Sequence, residues 1–83
     1  MSASDFTAAD SQLNAAYRRV MLAKDPVLGT VTKSGIHTAQ LAWLRYREAW
    51  VAFAAVKYPS IAADSLRAWL TQQRTKELQS LLP

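Results

Sequence analysis

The sequence predicts an all-α fold, an antiparallel three-helix bundle with helices over roughly 5–23, 35–58 and 61–82. Three observations carry this reading. Glycine occurs only at Gly29 and Gly35 and proline only at Pro26, Pro59 and Pro83, so the helix breakers leave long uninterrupted stretches in the 83-residue chain. Ala, Leu, Arg and Gln dominate those stretches, whereas β-branched residues cluster mainly between Val27 and Thr32. Within each stretch, apolar residues recur at helical spacing.

The first helix is expected to begin near Ser4 or Thr7, where Thr7 and Asp10 resemble a capping box. Phe6, Ala9, Leu13, Ala16, Tyr17, Val20 and Met21 then form one apolar stripe, and the helix ends before Pro26. The stretch from Asp25 to Gly35, with two glycines, a proline and three hydroxyl residues, reads as the one substantial loop. Long loops in compact domains are disproportionately functional.

The second helix should start at Ser34 or Ile36 and stop at Tyr58, before Pro59. It is apolar over more than half its circumference, with Ala42, Tyr46, Ala49, Phe53 and Val56 in one stripe and Trp43, Trp50, Ala54 and Lys57 in another. Two stripes predict a central helix packed against two neighbours, with Arg45, Arg47 and Glu48 facing water. Ser60 is the expected N-cap of the third helix, and Asp64 lies in its first turn, where the helix dipole favours an anion. Ile61, Ala62, Leu66, Trp69, Leu70, Gln73, Leu78 and Leu81 follow the helical period, and the short connection at Pro59 and Ser60 makes the last two helices antiparallel. The handedness of the bundle stays open.

A single domain of this length buries only about 60% of the surface its unfolded chain exposes, which disfavours a deep catalytic cavity. The only imidazole is His37, near the start of the second helix, where an exposed terminal position is its expected role. The chain has no cysteine, no HExxH pattern and no glycine-rich phosphate loop. Asp64 and Glu77 sit where helix-surface charges belong rather than as an acid and base pair. The reading is a non-enzyme with no cofactor and no metal, which holds another macromolecule instead of transforming a substrate.

Ten Lys and Arg against six Asp and Glu give a net charge of +4. The charges are scattered over all three helices, as solvated faces are. Arg45 and Arg47 beside Trp43 and Trp50 form a basic and aromatic mixture of the type that contacts nucleic acid. Yet Trp43 and Trp50 share one helix face, where aromatics are more often core, and no helix carries a dense basic run, so nucleic-acid binding is disfavoured. No apolar run of about 18 residues is present to span a bilayer. The start, MSASDF, lacks the positive and apolar regions of a signal peptide, which leaves a cytoplasmic protein or a mature exported domain with an added methionine.

Residues 40–49, QLAWLRYREA, resemble the QxAWxxYRDA signature of the LprI-like lysozyme-inhibitor family, with Glu48 in place of the usual Asp. Residues 10–17, DSQLNAAY, resemble the family's ADxxLNxxY opening, and residues 70–78, LTQQRTKEL, its closing LTxQRTxxL stretch. Order and spacing agree over nearly the whole chain. The signature residues here are Leu13, Tyr17, Gln40, Trp43, Tyr46, Glu48 and Arg74.

The resemblance implies a small helical domain of the bacterial envelope, periplasmic once a signal peptide is removed, that binds a protein and inhibits a lysozyme or another peptidoglycan hydrolase. The alternatives are a cytoplasmic helical interaction or immunity-type module and, further off, a nucleic-acid-binding protein. The family's usual two cysteines fall at Val51 and approximately Leu66, so the resemblance implies an apolar pair in place of a disulfide. A cytoplasmic member would have no use for that bridge.

Animal lysozymes are strongly basic and would repel a +4 inhibitor at long range, which points to a more acidic hydrolase or to prevailing local contacts. Between Asp25 and Glu48 there is no acidic residue, while Lys33, His37, Arg45 and Arg47 all fall there. A glycosidase cleft is lined by carboxylates, so these four residues are the expected partner-binding site. The competing role for Arg47 and Glu48 is structural, as ion pairs between helices. The oligomeric state is not legible at this level.

Overall fold

The structure is a computed structural model, and residues 3–23 and 30–82 are described. Helix α1 spans Ala3–Leu22, α2 spans Thr30–Lys57 and α3 spans Ala63–Gln79. The described residues contain no strand. Cross-helix contacts fix the directions. Asp10 meets Arg47 and Tyr17 meets His37, so α1 and α2 run antiparallel. Glu48 meets Arg67 and Gln40 meets Arg74, so α2 and α3 are antiparallel as well. It follows that α1 and α3 lie parallel to each other, with α2 reversed against both.

The closest packing is between α1 and α3. Ala9, Leu13, Ala16 and Val20 of α1 are buried at spacings of four, three and four residues, which is one face of a helix. Opposite them α3 buries Ala68, Thr71, Thr75 and Leu78. Alanine and threonine let the two backbones approach, and Leu13, Val20 and Leu78 fill the remaining volume. Thr75 satisfies its buried hydroxyl by donating to the Thr71 carbonyl, 2.9 Å away on the preceding turn. Tyr17, Ala23, Ile36, Trp43 and Leu82 close over this core.

The expected helix boundaries are corrected at three places. Helix α1 begins at Ala3, so Thr7 and Asp10 lie inside it instead of forming its cap, and Asp10 is turned to an ion pair with Arg47. Helix α2 begins at Thr30, so residues 30–35 of the expected loop are helical, Gly35 included. Residues 25–29, the rest of that stretch, lie outside the described residues. Glycine costs a helix roughly 0.5–1 kcal/mol relative to alanine. The extra turn is held by tertiary contacts, with the Lys33 ammonium donating to the Ala23 carbonyl just past the end of α1 (2.6 Å) and Ile36 packed on the core. Helix α3 takes Ala62, in extended conformation, as its N-cap with no side-chain hydrogen bond, while Ser60 belongs to the turn before it. It ends at Gln79, three residues short of the expected Leu82.

The burial pattern of α2 is the largest correction. Its inward face carries Gln40, Trp43, Arg47, Val51 and Ala54. The stripe expected to pack on a second neighbour stays outside: Tyr46 is 52% exposed, Phe53 51% and Val56 85%, with Ala42 and Ala49 exposed beside them. Trp50 and Lys57 of the other expected stripe are exposed too. Ile61, Trp69 and Leu81, expected on the core period of the third helix, are also exposed, and Ile61 and Leu81 lie outside α3. The face of α3 that meets α1 carries Ala68, Thr71 and Thr75 with Leu78, and Trp69 lies outside it.

Candidate functional site

The central half of α2 positions a guanidinium network. Arg47, expected to face water, is only 11% exposed in its side chain. Its Nη1 lies 3.6 Å from an Asp10 carboxylate oxygen and donates to the Thr71 hydroxyl at 3.3 Å, and its Nε donates to Glu48 at 2.9 Å. The guanidinium carbon stands 5.1 Å from the centre of the Phe6 ring and 5.4 Å from that of Trp43. One side chain therefore touches all three helices through charge, hydrogen bonds and cation–π contacts.

Arg67 and Arg74 extend this attachment along α3. Arg67 donates to both Glu48 oxygens and to Asp64. Hydrogen bonding from Arg67 holds the Glu48 carboxyl below its usual range, against the opposing effect of burial and with further help from Arg47. Glu48 and Asp64 in turn raise Arg67 above the ordinary arginine value. Arg74 donates from Nε to the side-chain amide oxygen Oε1 of the buried Gln40 at 3.0 Å, stands 5.9 Å from the Trp43 ring centre and lies 3.5 Å from Glu77. Leu13, Tyr17, Gln40, Trp43, Glu48 and Arg74 of the signature thus all join helices together. Tyr46 does not, since its ring lies outside, edge-on to Trp50 at 6.4 Å.

The four expected partner-binding residues are separated by this arrangement. Arg47 is taken up in the network above, and Lys33 is drawn to the Ala23 carbonyl. His37 is exposed, with its Nδ1 2.9 Å from the Tyr17 hydroxyl, and it stands seven residues inside α2 rather than at its end. Arg45 is exposed.

Antiparallel packing adds two residues that sequence reasoning missed. The contacts Tyr17 to His37 and Lys33 to Ala23 bring the C-terminal end of α1 beside the first turns of α2, and there Arg18 and Arg19 are exposed. Only the reversed direction of α2 joins this pair to Lys33 and His37. Asp10, Glu48 and Asp64 lie toward the other end of the molecule, where they are paired with Arg47 and Arg67, while Glu77 stands beside Arg74 nearer the basic end.

A second surface is apolar. Tyr46, Trp50, Phe53 and Tyr58 form a chain of edge-to-face rings with centres 6.4, 5.4 and 6.4 Å apart, open to solvent along α2. Among the described residues no group of His, Asp and Glu is arranged to hold a metal ion, and no helix is long and apolar enough to cross a membrane.

These placements fit the protein family found by comparison. The chain matches the family described as lysozyme inhibitor LprI over residues 1–78. It belongs to the LprI lysozyme-inhibitor family. The matched span takes in α1, α2, all but the last residue of α3 and the whole network around Arg47. No curated protein and no solved structure matches the chain. Family membership makes this chain kin to lysozyme inhibitors, which act on a protein.

Proposed function

We propose that this protein is a non-catalytic inhibitor domain of the cell envelope that blocks a peptidoglycan-cleaving hydrolase by seating its basic end in or over the enzyme's acidic cleft. The observation that carries the reading is the gathering of Arg18 and Arg19 from α1 with Lys33 and His37 from α2 at one end of the molecule, with Arg45 further along. Membership of the lysozyme-inhibitor family supplies the class of target. Glycoside-cleaving clefts hold paired carboxylates, so a cationic end is complementary to them. The same positive charge disfavours strongly basic lysozymes and selects for a hydrolase of acidic surface.

The test is inhibition of a panel of peptidoglycan hydrolases of differing surface charge, with the triple charge reversal Arg18→Glu, Arg19→Glu and Arg45→Glu alongside the native chain. The expected result is inhibition of an acidic member that weakens with rising salt and is lost in the triple variant. Absence of inhibition across the panel at micromolar protein would overturn the reading, as would inhibition indifferent to the reversal.

A further inference from the structure

We propose that α2 is the seam of an antiparallel homodimer, in which the outer stripe of one chain packs against the same stripe of a second copy. Ala39, Ala42, Tyr46, Ala49, Phe53 and Val56 recur at alternating spacings of three and four, the seam of a helix that pairs with another helix at a repeat of about 3.5 residues. All six are exposed in the single chain. This stripe is distinct from the inward face through Gln40, Arg47, Val51 and Ala54, which the chain fills by itself.

The occupant follows from the order of large and small side chains. In an antiparallel pair centred between Arg47 and Glu48, Tyr46 stands opposite the partner's Ala49, Phe53 opposite the partner's Ala42 and Val56 opposite the partner's Ala39. Each bulky residue meets an alanine, and by two-fold symmetry every such contact forms twice. A parallel pair would set Tyr46 on Tyr46 and Phe53 on Phe53, with gaps at the alanines and the basic ends side by side.

Charge selects the same arrangement. Lys57 is exposed at the C-terminal end of the seam. The antiparallel register carries it to the level of the partner's Thr38 and Ala39, where Glu77 borders the recess formed by Ile36, Ala39 and Leu81. That carboxylate is 64% exposed, with Arg74 as its neighbour at 3.5 Å. The register also lays the basic end of one chain beside the end of the other that carries Asp64.

Sedimentation or light scattering of the full chain from micromolar to millimolar concentration tests the proposal, with circular dichroism as a check that each variant folds. A reversible monomer–dimer equilibrium is expected. Phe53→Ala removes a bulky group and Ala49→Leu fills the place of the opposing Tyr46, and each should weaken dimerisation by about 30-fold, since each alters both symmetry-related copies of its contact. Lys57→Glu should weaken it about threefold, and adding Glu77→Lys should restore it.

A chain that stays monomeric throughout, a dimer indifferent to Phe53→Ala and Ala49→Leu, or failure of the second charge reversal to restore pairing would each overturn the proposal. A monomeric chain that loses its hydrolase on Phe53→Ala would assign the stripe to that enzyme instead. Dimerisation is read without any hydrolase, so its failure is separate from failure of the inhibitor reading.

Discussion

The two interfaces inside this molecule are built from opposite materials. Between α1 and α3, Ala9, Ala16, Ala68 and Thr71 allow close approach, and Leu13, Val20 and Leu78 supply apolar volume. Helix α2 is joined to that pair through long side chains, with Arg47, Arg67 and Arg74 reaching Asp10, Glu48, Gln40, Asp64 and Thr71. The first interface depends on exclusion of water and tolerates little change in volume. The second depends on geometry, since a planar guanidinium satisfies several acceptors at once and stacks on Phe6 and Trp43. A helix attached in this way, with Trp43 as the one aromatic of α2 packed on the core, can leave the stripe through Tyr46 and Phe53 outside.

The comparison is broken most strongly at the α1–α3 seam. Leu13→Ala opens a cavity where the side chain is 1% exposed and is expected to cost about 2–5 kcal/mol in urea unfolding, whereas Phe53→Ala should leave monomer stability nearly unchanged. Equal losses would mean that the outer stripe belongs to the core. The second interface is sharpened by Arg47. Arg47→Ala leaves the Thr71 hydroxyl without its donor and removes the stacking on two rings, with an expected cost of about 1–3 kcal/mol. Arg47→Lys should recover less than half of that loss, since an ammonium has neither the fork nor the flat face.

The smallest effect is at Gly35. It has no positive φ, and an added Cβ meets nothing within 4 Å. Gly35→Ala should therefore raise stability by roughly 0.5–1 kcal/mol, seen as a higher melting temperature. A loss there would show that the first turns of α2 are not helical in solution.

Much of the fold is legible in the sequence because it is local. The α1 stripe through Ala9, Leu13, Ala16 and Val20 is buried as its period predicts, and the stop of α2 at Lys57 lies one residue from the expected end before Pro59. The site is less legible. Arg47 reads as a surface cation from its type and spacing, and only the meeting of Phe6, Asp10, Trp43 and Thr71 around it turns it inward. Lys33 and His37 fall near each other because they are four residues apart on one helix, but their neighbours Arg18 and Arg19 come from a helix whose direction no local signal states.

By itself the sequence determined three helices, their approximate ends and membership of a lysozyme-inhibitor family, because propensity, breakers and short motifs act within a few turns of chain. Tertiary structure decided which faces turn inward. Hydrophobicity alone ranks Tyr46, Phe53, Val56 and Trp69 for the core, yet all four are exposed. On α2 the inward face is the one whose Gln40 and Arg47 find partners on the other two helices, and fit between helices is a property of two surfaces brought together rather than of either one alone.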